Sequence, residues 1–159
     1  DSVVGGHGLV YTPYLLGERT PHNDATVRGS FIGLDANTTS LDMKRAVLEG
    51  ITFSIQDSIT IMRNNRIAVN EIVSIGGGAK NKTWLQIQAD IFNASITTRT
   101  EEQGPAFGAA MLAAMGAQWF ESFETINQAW IQFHQPIKPI TSNRRSYSQL
   151  FDIYQSVYQ

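Results

Sequence analysis

The chain has 159 residues, 42% of them in the hydrophobic set, with twelve Lys and Arg against fourteen Asp and Glu and a formal net charge of -2. That length suits one domain, 1–159, rather than two, and the charge balance leaves no broad basic surface, which excludes nucleic acid as a general partner. There is no cysteine, so disulfides, thiolate metal sites and cysteine nucleophiles are excluded, a usage that suits a reducing, cytoplasmic setting.

His7, His22 and His134 are too scattered to suggest a metal site. No stretch approaches the roughly 20 apolar residues of a membrane span, and the start lacks a basic segment followed by an apolar run, so neither membrane insertion nor secretion is expected. The glycosylation-type triplets at Asn37, Asn81 and Asn93 therefore carry no weight. The chain opens at Asp1, without an initiator Met, and reads as a piece of something longer whose first residues lead into a strand.

In chain order, Leu9 to Leu15 is aromatic and β-branched, with Pro13 restricting it to a strand edge or end. Gly17 to Arg28 carries almost nothing apolar around Pro21 and reads as an exposed polar loop. Gly29 to Leu34 forms a second short strand, and Asp35 to Thr39 a turn into a helix cap. From Ser40 to about Asn64, Leu41, Val47, Ile51, Ile55, Ile59 and Met62 keep a helical period, and Thr39 with Asp42 resembles a capping box. Glu71 to Ile75 is an apolar strand of the parallel-sheet kind that ends in Gly76-Gly77-Gly78, before a helix from Asn81 to Asn93. Ser95 to Arg99 makes another strand, and Gly104-Pro105 opens an Ala-rich helix. Beyond Gly116 the pattern is irregular until Ser142 to Tyr158, where Tyr147, Leu150, Phe151, Tyr154, Val157 and Tyr158 share one helical face that serves as a docking stripe. The alternation specifies an α/β fold.

Three places could hold chemistry. The triple glycine permits close backbone approach by a flat or phosphorylated ligand, and free N–H groups follow at the helix start; equally, it is a tight turn with no ligand. It matches neither the P-loop nor the dinucleotide fingerprint. The loop Gly17 to Asp24 gathers Glu18, Arg19, His22 and Asp24, suited either to acid and base work or to solvated pairing. Glu101-Glu102-Gln103-Gly104-Pro105 places carboxylates before a helix with a small-residue face, a structural arrangement for helix start and close packing.

Together, several segments resemble the FGGY carbohydrate kinases, most closely those acting on D-xylulose. They are Tyr14-Leu15-Leu16-Gly17-Glu18-Arg19-Thr20-Pro21-His22-Asn23, Arg28 to Leu34, Arg45-Ala46-Val47-Leu48-Glu49-Gly50, Gly76-Gly77-Gly78-Ala79 with Trp84-Leu85-Gln86 and Ala89-Asp90-Ile91, and Gly104-Pro105-Ala106-Phe107-Gly108-Ala109-Ala110. The resemblance is strong over residues 9–116 and weak in the tail. It implies a ribonuclease-H-like lobe of the actin and hexokinase superfamily, incomplete at its N-terminal side and ending in a C-terminal helix. It further implies contact with ATP or ADP through Gly77, Gly78 and Ala79, with Asn81 or Lys82 nearby and Asn37 by position. The family's catalytic Asp, its Asp-x-Gly-Thr motif for phosphate and Mg2+, most sugar contacts and its Gly-Thr-Ser-Gly loop have no counterpart here. The resemblance therefore implies no catalytic or metal-binding residue in this chain, which alone does not phosphorylate a sugar. Alternatives are another FGGY kinase acting on gluconate, glycerol or another pentulose, or a non-catalytic assembly module that binds a partner lobe or a second copy as a homodimer.

Overall fold

The helix α1 (Ser40–Asn64) organises the chain, and its start is fixed by local chemistry. The Thr39 side chain accepts from the Asp42 backbone N–H while Asp42 accepts from the Thr39 N–H, a complete capping box. In the computed structural model, which describes residues 2–101 and 104–158, α1 lies against one strand of the first of two small sheets and against two other helices. Strands β1 (Val10–Thr12) and β2 (Ser30–Ile32) pair antiparallel, with Tyr11 opposite Phe31 and their rings 4.7 Å apart. Strands β3 (Glu71–Val73) and β4 (Ser95–Thr97) pair in parallel, Ile72 opposite Ile96. Between β3 and β4 runs α2 (Lys82–Phe92), followed after β4 by α3 (Pro105–Gly116), α4 (Phe123–Trp130) and α5 (Arg144–Val157).

The close approach between α1 and β1 is permitted by Gly50, where a Cβ would overlap the Tyr11 carbonyl oxygen. The core is built from Phe53 and Ile59 of α1, Leu85, Ala89 and Phe92 of α2, Ile96 of β4, and Tyr147, Leu150 and Tyr154 of α5. The aromatic docking face expected of the last helix is thus present, with Phe53 ringed by Tyr147, Phe151 and Tyr154. Asp90 positions the approach to α5, accepting from the Ile140 N–H at 2.7 Å and from Asn143 Nδ2 at 2.8 Å.

Several expectations are corrected. The apolar stripe of α1 is only partly its core face: Ile59 is buried, but Leu41, Ile55 and Met62 are exposed, whereas Asp42, Glu49 and Asp57 are buried together with Ala46 and Phe53. Those carboxylates are tolerated inside because each accepts hydrogen bonds, Glu49 from Arg45, Tyr147 and the Gly5 N–H, and Asp57 from Gln155. The first residues lead into β1 as expected, but by way of turns at 4–8, including a 3-10 turn at Gly6–Gly8. The stretch beyond Gly116 contains α4, whose start is marked by a second capping box between Ser122 and Thr125. After α4, the chain pairs antiparallel with β4 and its extension, at Ile137 with Ile96 and at Phe133 with Arg99. The close helix packing expected of α3 is not made among the described residues: of its small side chains only Ala114 is buried, and Ala109, Ala110 and Ala113 remain exposed. Glu102 and Gln103, at the acidic start of that helix, lie outside the described residues.

Candidate functional site

Because β3 and β4 are parallel, both release the chain at the same end of the sheet, where ligands of open α/β sheets bind. From β3 the chain passes Ser74, Ile75 and Gly76 into a 3-10 turn at Gly77–Lys80, closed by hydrogen bonds from the Ala79 N–H to Gly76 O (3.0 Å) and from the Asn81 N–H to Gly78 O (3.1 Å). From β4 it passes Thr98, Arg99 and Thr100. The segment after α4 closes the other side, with the His134 N–H donating to Thr98 O at 2.9 Å and the His134 imidazole 3.1 Å from Thr98 Oγ1. These walls, with Gly104, Pro105 and Gly108 at the start of α3, enclose an open cleft of about 810 Å³, within the range of small-molecule sites.

The cleft brings together Gly76, Ala79 and Lys80 from the glycine turn, and Arg99 and His134 from the opposite wall. Of the residues singled out from the sequence, Ala79 lines it directly. Gly77 belongs to the same turn, while Gly78 lies under the Trp84 indole, which occupies the space a Cβ would need. Trp84 is in turn held by its Nε1–H, which donates to Thr52 Oγ1 at 2.9 Å. The Asn81 side chain is spent at the start of α2, where Oδ1 accepts from the Trp84 N–H at 3.1 Å, and Lys82 is the exposed first residue of that helix. Asn37 sits in an exposed turn, its N–H donating to Asp35 Oδ1, away from the cleft lining.

The acidic and basic loop after Pro13 turns out to be a fastening for α5. Its ends are joined by paired backbone hydrogen bonds between Glu18 and Asp24, both 2.8 Å. His22 stacks on Tyr158 with ring centroids 3.6 Å apart and its Nε2 lies 3.3 Å from Tyr14 Oη. Sequence reasoning missed Arg99, Lys80 and His134. A strand end before a Gly-Pro helix start is a signal for Arg99, whereas His134 reaches the cleft through a strand pairing that no local pattern announces.

A nucleotide suits this lining: small and apolar walls for a flat base, backbone amides of the glycine turn, and cationic side chains. A magnesium ion does not find ligands here, since no group of three or more His, Asp or Glu side chains able to hold a metal is present among the described residues and the cleft lining includes no carboxylate. No helix among the described residues is long and apolar enough to cross a membrane.

Residues 1–117 match the model of the FGGY family of carbohydrate kinases, C-terminal domain. The chain is 72% identical over 158 residues to xylulose kinase of Staphylococcus xylosus, covering 99% of this chain and 33% of that protein. Among solved structures, a ligand-bound xylulose kinase from Lactobacillus acidophilus is similar with a TM-score of 0.88 and 33% identity, over 98% of this chain and 32% of that one. A gluconate kinase from the same organism is similar with a TM-score of 0.87 and 33% identity, over the same shares. The chain thus spans about a third of the length of the curated relatives it matches, and its α/β fold is part of the sugar-kinase fold, as expected from its motifs. It belongs to the FGGY family of carbohydrate kinases.

Proposed function

We propose that this chain is the nucleotide-binding part of an ATP-dependent D-xylulose kinase, a single lobe, 1–159, of a longer two-lobe cytoplasmic enzyme. The observation that carries the reading is the cleft at the shared end of β3 and β4, walled by the glycine turn on one side and by Arg99 and His134 on the other. In such an enzyme the γ-phosphoryl group of ATP passes to a sugar hydroxyl, and most of the rate comes from positioning and charge stabilisation. This chain's share is positioning: it binds and orients the nucleotide, by the turn from Gly77 to Ala79 and by Lys80. The base that deprotonates the sugar, the magnesium ligands and most sugar contacts belong to the other lobe. The sugar assignment is supported by the identity to the Staphylococcus xylosus protein, since the likeness to solved xylulose and gluconate kinases, at TM-scores of 0.88 and 0.87, does not separate them.

Titration calorimetry with ADP and ATP tests the nucleotide reading. Saturable binding is expected, and replacing Ala79 by Phe, which fills the cleft, abolishes it. A folded chain that takes up neither nucleotide sinks the reading. The sugar is tested on the full-length polypeptide carrying this segment, where phosphorylation of D-xylulose is expected to exceed that of gluconate or glycerol.

A further inference from the structure

Two backbone hydrogen bonds close the turn Gly77–Lys80, but they fix its shape rather than its place. Glycine gives a backbone its widest freedom, and at Gly76 and Gly77 nothing beyond the adjacent residues stands within 4 Å of where a Cβ would be, so the turn is open on that side. Gly78 differs: a Cβ there would overlap the six-membered ring of the Trp84 indole. Of the three glycines, this one rests on a side chain.

Trp84 is itself fixed at both ends. Its backbone N–H donates to Asn81 Oδ1 at 3.1 Å, and its Nε1–H donates to Thr52 Oγ1 at 2.9 Å, 32 positions back in α1. Thr52 is fully buried, and its hydroxyl donates to the Leu48 carbonyl at 2.7 Å. With its proton committed there, the hydroxyl meets Trp84 as an acceptor, the role an indole N–H requires. The line from Thr52 through Trp84 to Gly78 therefore ties the glycine turn to α1. We propose that Thr52 and Trp84 are positioning residues for nucleotide binding: neither lines the cleft, and both act through Gly78, holding the turn where Gly76, Ala79 and Lys80 form a wall. The inference rests on the nucleotide reading above and adds the side chains that keep its turn in place.

The test is titration of the 159-residue chain with ADP, beside thermal melts of each variant. Thr52→Val keeps the shape and removes the acceptor, and Trp84→Phe keeps an aromatic ring and removes the donor; each raises the ADP dissociation constant about three- to tenfold, the equivalent of one neutral hydrogen bond. The double variant binds no more weakly than Trp84→Phe alone, because both changes remove the same bond. Thr52→Ser restores the hydroxyl and with it the parent affinity. A merely structural role lowers the melting temperature and leaves the affinity of the folded chain unchanged; that result, or additive losses in the double variant, overturns the proposal. Should Thr52→Val not fold, Trp84→Phe and Thr52→Ser carry the same comparison. If the parent chain binds no ADP, the nucleotide reading falls and this inference with it, an outcome distinct from ADP binding that is indifferent to both residues.

Discussion

The Tyr147 hydroxyl donates to Glu49 Oε1 at 2.9 Å, joining α5 to α1 across 98 positions of sequence. Arg45 closes the unit, with Nε 2.7 Å from the same carboxylate oxygen, Nη2 2.9 Å from Tyr147 Oη and Nη1 3.0 Å from the Ser2 carbonyl. Burial pushes the Glu49 carboxyl up from its ordinary range, opposed by the Gly5 N–H and the Arg45 guanidinium. Removing one partner leaves the others desolvated and unpaired. Glu49→Ala is therefore expected to cost about 3 to 5 kcal/mol, and Tyr147→Phe about 1 to 3 kcal/mol. Urea unfolding of the two variants checks the order; equal, small losses would show that the unit does not hold α5.

Gly50 is expected to be irreplaceable. An added methyl group meets the Tyr11 carbonyl, a backbone atom that cannot rotate away. Gly50→Ala should cost about 3 kcal/mol or more by forcing α1 off β1, read as a fall in the denaturation midpoint. A variant within 0.5 kcal/mol of the parent, about the scatter of surface substitutions, would refute the close approach.

Gly78 should behave differently. Its Cβ would displace the Trp84 indole, which is a side chain and can move, at the expense of the hydrogen bond to Thr52. Gly78→Ala is expected to shift the tryptophan emission to longer wavelength as the ring meets water, and to weaken ADP binding because the turn moves with it. An unchanged spectrum with lost ADP binding would mean that the ligand, rather than Trp84, claims that space.

Asp42 governs acid stability. Hydrogen bonds from the Ser2 hydroxyl, then from the Thr39 side chain and N–H, hold its carboxyl well below its ordinary value of 3.8. A folded value below the unfolded one contributes stability that is present above about 3.8 and is lost as the pH falls through and below it. Glu49 and Asp57, raised by burial, act with the opposite sign, so the comparison must be with Asp42→Asn, which leaves them unchanged. Thermal melts from pH 6 to pH 2 should show the parent's advantage over Asp42→Asn shrinking below pH 4. A constant gap would refute the assignment.

Local chemistry was legible where the signals were local. The capping box at Thr39, the extent of α1, the turn at the triple glycine and the aromatic face of α5 all follow from residues within a turn or two of each other. The face of α1 was only partly legible, because burial there is decided largely by partners 40 to 100 positions away: Glu49 is inside because of Tyr147 and Gly5, and Leu41 is outside because nothing among the described residues covers it. The cleft was half legible for the same reason. Its glycine wall lies on one continuous segment, whereas the wall of Arg99 and His134 needs residues 132–137 to pair with β4.

Tyr154 donates to the Tyr14 hydroxyl at 2.8 Å across 140 positions, which bears on the order of events on the ribosome. Tyr14, two residues beyond β1, meets this partner only when α5 emerges, so its surface waits through the synthesis of the roughly 140 positions between them. At about 5 to 20 residues per second that wait is on the order of ten seconds. During it, Tyr14 and Phe53 are open to chaperones and to misassembly. A nascent chain halted before residue 144 is therefore a client for holding factors, whereas one in which α5 has emerged and docked is not.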